Sequence, residues 1–186
     1  ELFKYDENKI KALFDTLFET MRTMLAFSKP LVASITGHSP AGGCVLAICA
    51  DYRVMAAGKY RIGLNEIPVG IMMPTYIFET YAFWLGKGKA YQYILEGKLL
   101  HVDEALACGL INESCPLEEV LPRAEKKMKH YLRADNNILK NTKYKLRKTW
   151  LDVLDTKAED ELQQSIDIWW KPEVRMKMQM YIAMLS

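Results

Sequence analysis

The features of this sequence that could do chemistry are a carboxylate set among apolar neighbours and a glycine pair ahead of an apolar run. Glu66 lies in GLNEIPVGI, flanked by Leu64 and Ile67, with Val69 and Ile71 close behind. Such surroundings are expected to desolvate the carboxylate in part, which disfavours its charged form and makes it a better base near neutral pH. The competing expectation is an exposed loop glutamate, the usual fate of a lone Glu. Gly42 and Gly43 precede CVLAICA. A helix starting there has N–H groups without intrahelical partners, and glycines let a ligand come close to them. An oxygen carrying developing negative charge would be stabilised by those N–H groups and by the positive end of the helix. The alternative is that the pair only permits tight packing of helix on strand, which on pattern alone is the commoner case.

The elements that must position these residues run from Pro30 to Gly70. Leu31 to Thr36 is an apolar, β-prone run, Gly37 to Gly43 breaks it, and Cys44 to Ala50 is apolar on every side, so that helix must be buried. A second strand and the loop holding Glu66 follow. Upstream, Asp6 is a candidate N-cap for a helix with Ile10, Leu13, Phe14, Leu17, Met21 and Met24 on one face, ended by Lys29 and Pro30. Helix alternating with strand predicts an α/β fold.

Beyond Gly70 a helix is expected from Thr75 to Leu85, carrying Tyr76, Phe78, Tyr81, Phe83 and Trp84, then another from Lys89 to Leu95. His101 to Cys108 reads as a helix with Asp103 as its early acid, and Leu110 to Ser114 as a strand. Pro116 opens a helix with Leu117, Val120, Leu121, Ala124, Met128 and Tyr131 on its apolar face. The C-terminal third is expected to be all helix. The large residues of its last helices (Leu162, Ile166, Trp169, Trp170, Val174, Met178, Tyr181 and Leu185) suggest a subunit contact or a lid over a ligand.

Half of the 186 residues are hydrophobic, 26% are charged and the net charge is +2, a balance that points to neither nucleic acid nor membrane. Cys44, Cys49, Cys108 and Cys115 lack zinc-like or C-x-x-C spacing, and His38, His101 and His130 lack metal-like neighbours, so no metal is expected. Reduced thiols suit an intracellular, cytoplasmic protein. His38, near the glycine turn, is expected to have a local structural role. Ten basic residues between Arg123 and Lys148 could receive phosphates. The acidic block that follows argues instead for solvated helix faces.

The sequence resembles the crotonase (enoyl-CoA hydratase/isomerase) superfamily. The residues that carry the likeness are Lys29–Pro30 before an apolar strand, AGGC at 41–44, ADYRV ending at Val54, IGLNE ending at Glu66 with Gly70 four residues on, and ALACGLIN at 105–112. The likeness implies a ClpP/crotonase-type spiral core at 1–115, truncated at its N-terminus, with a helical region at 116–186 for oligomerisation and active-site cover. It further implies an acyl-CoA substrate, no separate cofactor, a homotrimer or hexamer, and a place in fatty-acid metabolism. Glu66 and Gly42 match the catalytic positions, and Ala41, Gly43, Asn65, Gly70 and Pro74 are placed against substrate. By the same analogy a second oxyanion donor is expected upstream of Glu1. Where hydratases of the family carry another catalytic Glu, this sequence has Val45, which favours the Δ3,Δ2-enoyl-CoA isomerases. Independently, adding water asks for two groups, whereas moving a double bond needs one base. A hydratase or other enolate-forming enzyme, and a non-catalytic acyl-CoA-binding or assembly protein, are the alternatives.

Overall fold

The chain folds around two small sheets joined by one short buried helix. The structure is a computed structural model that describes residues 2–185, without the side chains of residues 157–159, 181–182 and 184–185. After a 3-10 turn at Leu2–Lys4, α1 (Glu7–Ala26) opens at Asp6, whose carboxylate accepts the Lys9 N–H at 2.8 Å, the cap expected from sequence. Of its apolar face, Ile10, Met21 and Leu25 are buried.

The first sheet is parallel, in the order β1 (Val32–Ile35), β3 (Tyr52–Ala56), β6 (Glu113–Cys115), with Val32 opposite Tyr52 and Val54 opposite Glu113. The second has the order β2 (Ser39–Pro40), β4 (Arg61–Gly63), β5 (Leu100–His101). In it β2 and β4 run parallel and β4 and β5 antiparallel. Sequence reading passed over this second sheet because its strands have two or three residues, too few for alternation to show. Helix α2 (Gly42–Ile48) connects the sheets, and Cys44, Val45, Ala47 and Ile48 are buried, as a helix without a polar face requires.

Helix α3 (Thr75–Leu85) matches its expected bounds, and α4 (Lys87–Glu96) and α5 (Val102–Ala107) follow. Asp103 lies in the first turn of α5 as expected, together with Glu104, whose carboxylate accepts the His101 N–H at 2.9 Å. The expected strand at Leu110 is replaced by buried turn residues, Leu110 and Ile111, and β6 starts only at Glu113. A 3-10 turn, Leu117–Glu119, leads into α6 (Val120–Tyr131). Val120 and Ala124 pack on β3, but Leu117 and Leu121, assigned to the same face, are exposed: Leu117 lies in the 3-10 turn ahead of α6, and Leu121, one residue after the buried Val120, points about 100° round the helix.

The C-terminal helices are α7 (Asn136–Trp169), which lies along α1 and α3, and α8 (Pro172–Leu185). Trp169 and Met178 are buried with Ile10, and Phe14, Ile71 and Val174 pack around them. Those large residues therefore find partners within the chain, and the sequence-based case for a subunit contact loses its force there. Tyr181 and Leu185 of the same expectation lie outside the described side chains.

Two residues of the basic stretch are buried rather than solvated. Lys143 and Arg147 of α7 bond the two oxygens of Asp51 at 2.7 and 2.6 Å, and Arg147 also donates to the carbonyls of Met24, Leu25 and Cys49. Asp51 completes the set by accepting the Leu31 N–H at 2.7 Å. Arg123 is paired with Glu113 and Glu119. No helix among the described residues is long and apolar enough to cross a membrane.

Candidate active site

The segments that carry Gly42 and Glu66 leave neighbouring strands, because β2 and β4 are parallel hydrogen-bonded partners. Gly42 lies two residues beyond the end of β2 and Glu66 three beyond the end of β4, so both follow the carboxyl ends of adjacent strands. Ala41 ties the two segments together by donating its N–H to the Gly63 carbonyl at 2.9 Å. It does so with φ 47° and ψ −119°, a strained setting for alanine. That setting turns the chain sharply into α2, whose Val45 N–H is bonded to the Ala41 carbonyl.

The two glycines play different parts. A Cβ on Gly43 would meet the Ser39 hydroxyl at 2.8 Å, so Gly43 is a packing glycine. A Cβ on Gly42 would meet nothing within 4 Å, so there is open space beside this residue. Gly43→Ala is accordingly expected to cost about 1–3 kcal/mol of stability in a denaturant melt. Gly42→Ala is expected to keep the wild-type stability while lowering kcat/KM by about tenfold or more, since its methyl fills the approach to the N–H.

Glu66 is 7% exposed and is the one carboxylate side chain among the buried polar residues described. Burial pushes its carboxyl up from 4.5 to about 7, against a smaller opposing effect of its own backbone N–H. Its Oε2 has no hydrogen-bond partner among the described residues, and neither has the Oδ1 of Asn65 beside it. The thiol of Cys44 and the phenol of Tyr81 are both pushed up, first by burial, and each also feels the Glu66 charge. A buried carboxyl poised near neutrality beside an open helix N-terminus can take up and return a proton while the N–H groups hold an oxyanion.

The remaining expected site residues are dispersed. Gly70, with φ +82°, lies under Val174 and Met178 of α8, and Pro74 is the buried residue before α3, its carbonyl accepting from Ile77 and Phe78. Both shape the loop after Glu66. His38 accepts the Arg61 N–H at its Nδ1 (3.2 Å) and meets Tyr60 edge-on, the structural role expected of it. Of the α3 aromatics, Phe78 faces a groove of about 380 Å³ that begins at Ile67 and is walled by Met72, Met73, Tyr91, Ile94 and Leu95. Tyr76 and Tyr81 are buried. Phe83 and Trp84 instead line an apolar cavity of about 210 Å³ with Trp150, near the far end of α2, where the Trp84 indole bonds the Ile48 carbonyl.

The sequence profile of the enoyl-CoA hydratase/isomerase family matches residues 4–185. The chain belongs to that family, within the crotonase superfamily. It is 36% identical over 157 residues to mitochondrial enoyl-CoA delta isomerase 1 of Mus musculus, a match covering 84% of this chain and 54% of the relative. It is 32% identical over 108 residues to crotonyl-CoA hydratase of Syntrophomonas wolfei, covering 58% and 41% respectively. The crystal structure of human mitochondrial Δ3-Δ2-enoyl-CoA isomerase superposes with a TM-score of 0.93 at 27% identity, covering all of this chain and 72% of that one. The chain thus spans about half the length of the curated relatives it matches. These likenesses bear out the expected crotonase fold and its isomerase leaning. The mouse relative's mitochondrial name lends no support to the cytoplasmic expectation.

Proposed function

We propose that this family member moves the double bond of a 3-enoyl-CoA to the 2-position, with Glu66 as the single proton shuttle. The observation that carries the reading is a lone buried carboxylate, raised to about 7, beside the open N-terminus of α2, while Val45, 1% exposed, stands where a second acid would be needed. The thioester oxygen lies against the Gly42 N–H, which lowers the energy of the dienolate formed when Glu66 removes a proton from C2. The electron pair of that C–H bond becomes the C1–C2 double bond of the dienolate as the carbonyl pair moves onto the thioester oxygen, and when the oxyanion collapses it shifts to become the new C2–C3 double bond. The former C3–C4 pair takes the proton back from Glu66 at C4, and no water is consumed. The acyl tail extends along the apolar groove from Ile67, where Tyr91 and Leu95, both more than half exposed, gain cover from it.

The test is to incubate the chain, and a version extended upstream of Glu1, with a 3-enoyl-CoA and separately with a 2-enoyl-CoA, reading products by mass spectrometry and ultraviolet absorbance. Conversion of the 3-enoyl compound without hydration of the 2-enoyl one is expected. Hydration of the latter would replace this reading with a hydratase, and binding without turnover in either form would replace it with an acyl-CoA-binding protein. A homotrimer or hexamer is proposed from the family likeness, and sedimentation of a monomer alone would remove it.

A further inference from the structure

The loop from Glu66 to Pro74 leads straight into α3, and α3 has no cap of its own. Its N-cap residue is Pro74, whose side chain accepts nothing. The first helical residue, Thr75, instead donates its N–H (2.7 Å) and its hydroxyl (2.5 Å) to the two carboxylate oxygens of Glu161 in α7. A carboxylate at a helix N-terminus satisfies a free N–H and is favoured by the helix dipole. Here that carboxylate comes from 86 residues along the chain, in a helix that Lys143 and Arg147 anchor on Asp51 and that Asp155 joins to Arg22 of α1.

The other restraints on the loop are its own turn and apolar cover. The N–H groups of Val69 and Ile71 bond the Glu66 carbonyl, Ile71 packs with the cluster of Ile10, Trp169 and Met178, and Val174 lies over Gly70. The downstream end has apolar cover as well, since Pro74 is buried and Met73 packs on the main core. Among the described hydrogen bonds, those to the Glu161 carboxylate are the ones that tie that end to α7.

We propose that Glu161 is a positioning residue for the base: by holding Thr75 it closes the loop that keeps the Glu66 carboxyl buried against α2 and α3. This rests on the reading of Glu66 as the proton shuttle. Releasing Thr75 lets the loop swing and admits water to a carboxylate that is otherwise 7% exposed. A hydrated carboxylate is a weaker base and a worse-aligned one. The titratable groups that feel the Glu66 charge are Cys44 from α2 and Tyr81 from α3, and Tyr76 feels that of Glu161. Burial pushes all three up, so none of them changes charge near neutrality.

The test compares Glu161→Ala, Glu161→Gln and Thr75→Ser with the wild type. Turnover of a 3-enoyl-CoA is measured per folded molecule, and the Glu66 carboxyl is titrated by carbon NMR of carboxyl-labelled protein, its signal assigned with Glu66→Gln. Glu161→Ala is expected to lower kcat by about tenfold or more with KM within about threefold. It is also expected to move the Glu66 midpoint down from about 7 toward its ordinary 4.5. Glu161→Gln, which still offers one acceptor, should recover part of both effects, and Thr75→Ser, which keeps both donors, should match the wild type. An unchanged Glu66 midpoint with unchanged kcat in folded Glu161→Ala and Glu161→Gln would overturn the proposal. Absence of turnover in the wild type would remove the isomerase reading, and the titration would still decide the role of Glu161.

Discussion

Glu66→Gln is expected to lower isomerisation of a 3-enoyl-CoA by about 10²–10⁴-fold, the range that a positioned general base supplies. The amide keeps the shape and the burial of the side chain but cannot accept a proton, so KM should change far less than kcat. Wild-type kcat/KM should rise with pH through about 7 and level off above it, because the ionised carboxylate is the active base. The stability effect has the opposite sign. The folded-state pKa of about 7 exceeds the ordinary 4.5, so the native protein holds this proton more tightly than the unfolded chain does. The stabilisation by the neutral carboxyl is complete below about pH 4.5 and is lost as pH rises through 7. Glu66→Gln removes that loss, so the variant should equal or exceed wild-type stability by about 1–3 kcal/mol above pH 7. A variant that is slower and yet no less stable is the signature of a carboxylate kept buried for chemistry; near-normal turnover in Glu66→Gln would end the assignment.

Asp51→Ala is expected to be among the most destabilising single changes in the chain, costing about 3–5 kcal/mol in a urea melt with unchanged slope. The reason is the ionic arithmetic beneath α7. Lys143 and Arg147, with side chains 9% and 5% exposed, both spend their charge on this one carboxylate. Burial already pushes both cations down, and without Asp51 they would be left in a poorly solvated site with only carbonyl partners. The cost therefore comes mostly from stranding the cations rather than from losing an attraction. Adding Lys143→Met to Asp51→Ala should recover part of it, and a double variant less stable than the single one would contradict this account. Because the same cluster anchors the helix that carries Glu161, Asp51→Ala should also lower turnover in the fraction that stays folded.

Much of the candidate site was legible in the residues. The apolar neighbours of Glu66 announced its burial, and the all-apolar run after Gly43 announced a buried helix, because desolvation and hydrophobic periodicity are properties of the local sequence. Asp6 capping α1 and the bounds of α3 were equally local. What the sequence could not divide was the glycine pair. Gly42 and Gly43 look alike on paper, and only the position of the Ser39 hydroxyl makes one a packing residue and leaves the other open. Nor could composition tell Lys143 and Arg147 from the solvated lysines around them, since their partner Asp51 lies 92 and 96 residues away.

The α3 aromatics show the same division: one periodic helix predicted five large rings, but its rotation against α2, α4 and α7 sent Phe78 to the groove and Phe83 and Trp84 to a separate cavity. By itself the sequence determined which residues are apolar, which turn, and that one carboxylate would sit among them. The tertiary structure alone decided that β2 and β4 lie side by side, so that the segments of Gly42 and Glu66 leave neighbouring strands, and that Glu161 caps a helix whose own N-cap is a proline. Propensity, capping and periodicity act over a few residues and are written locally, whereas strand pairing and the meeting of distant charges depend on contacts that exist only once the chain has closed on itself.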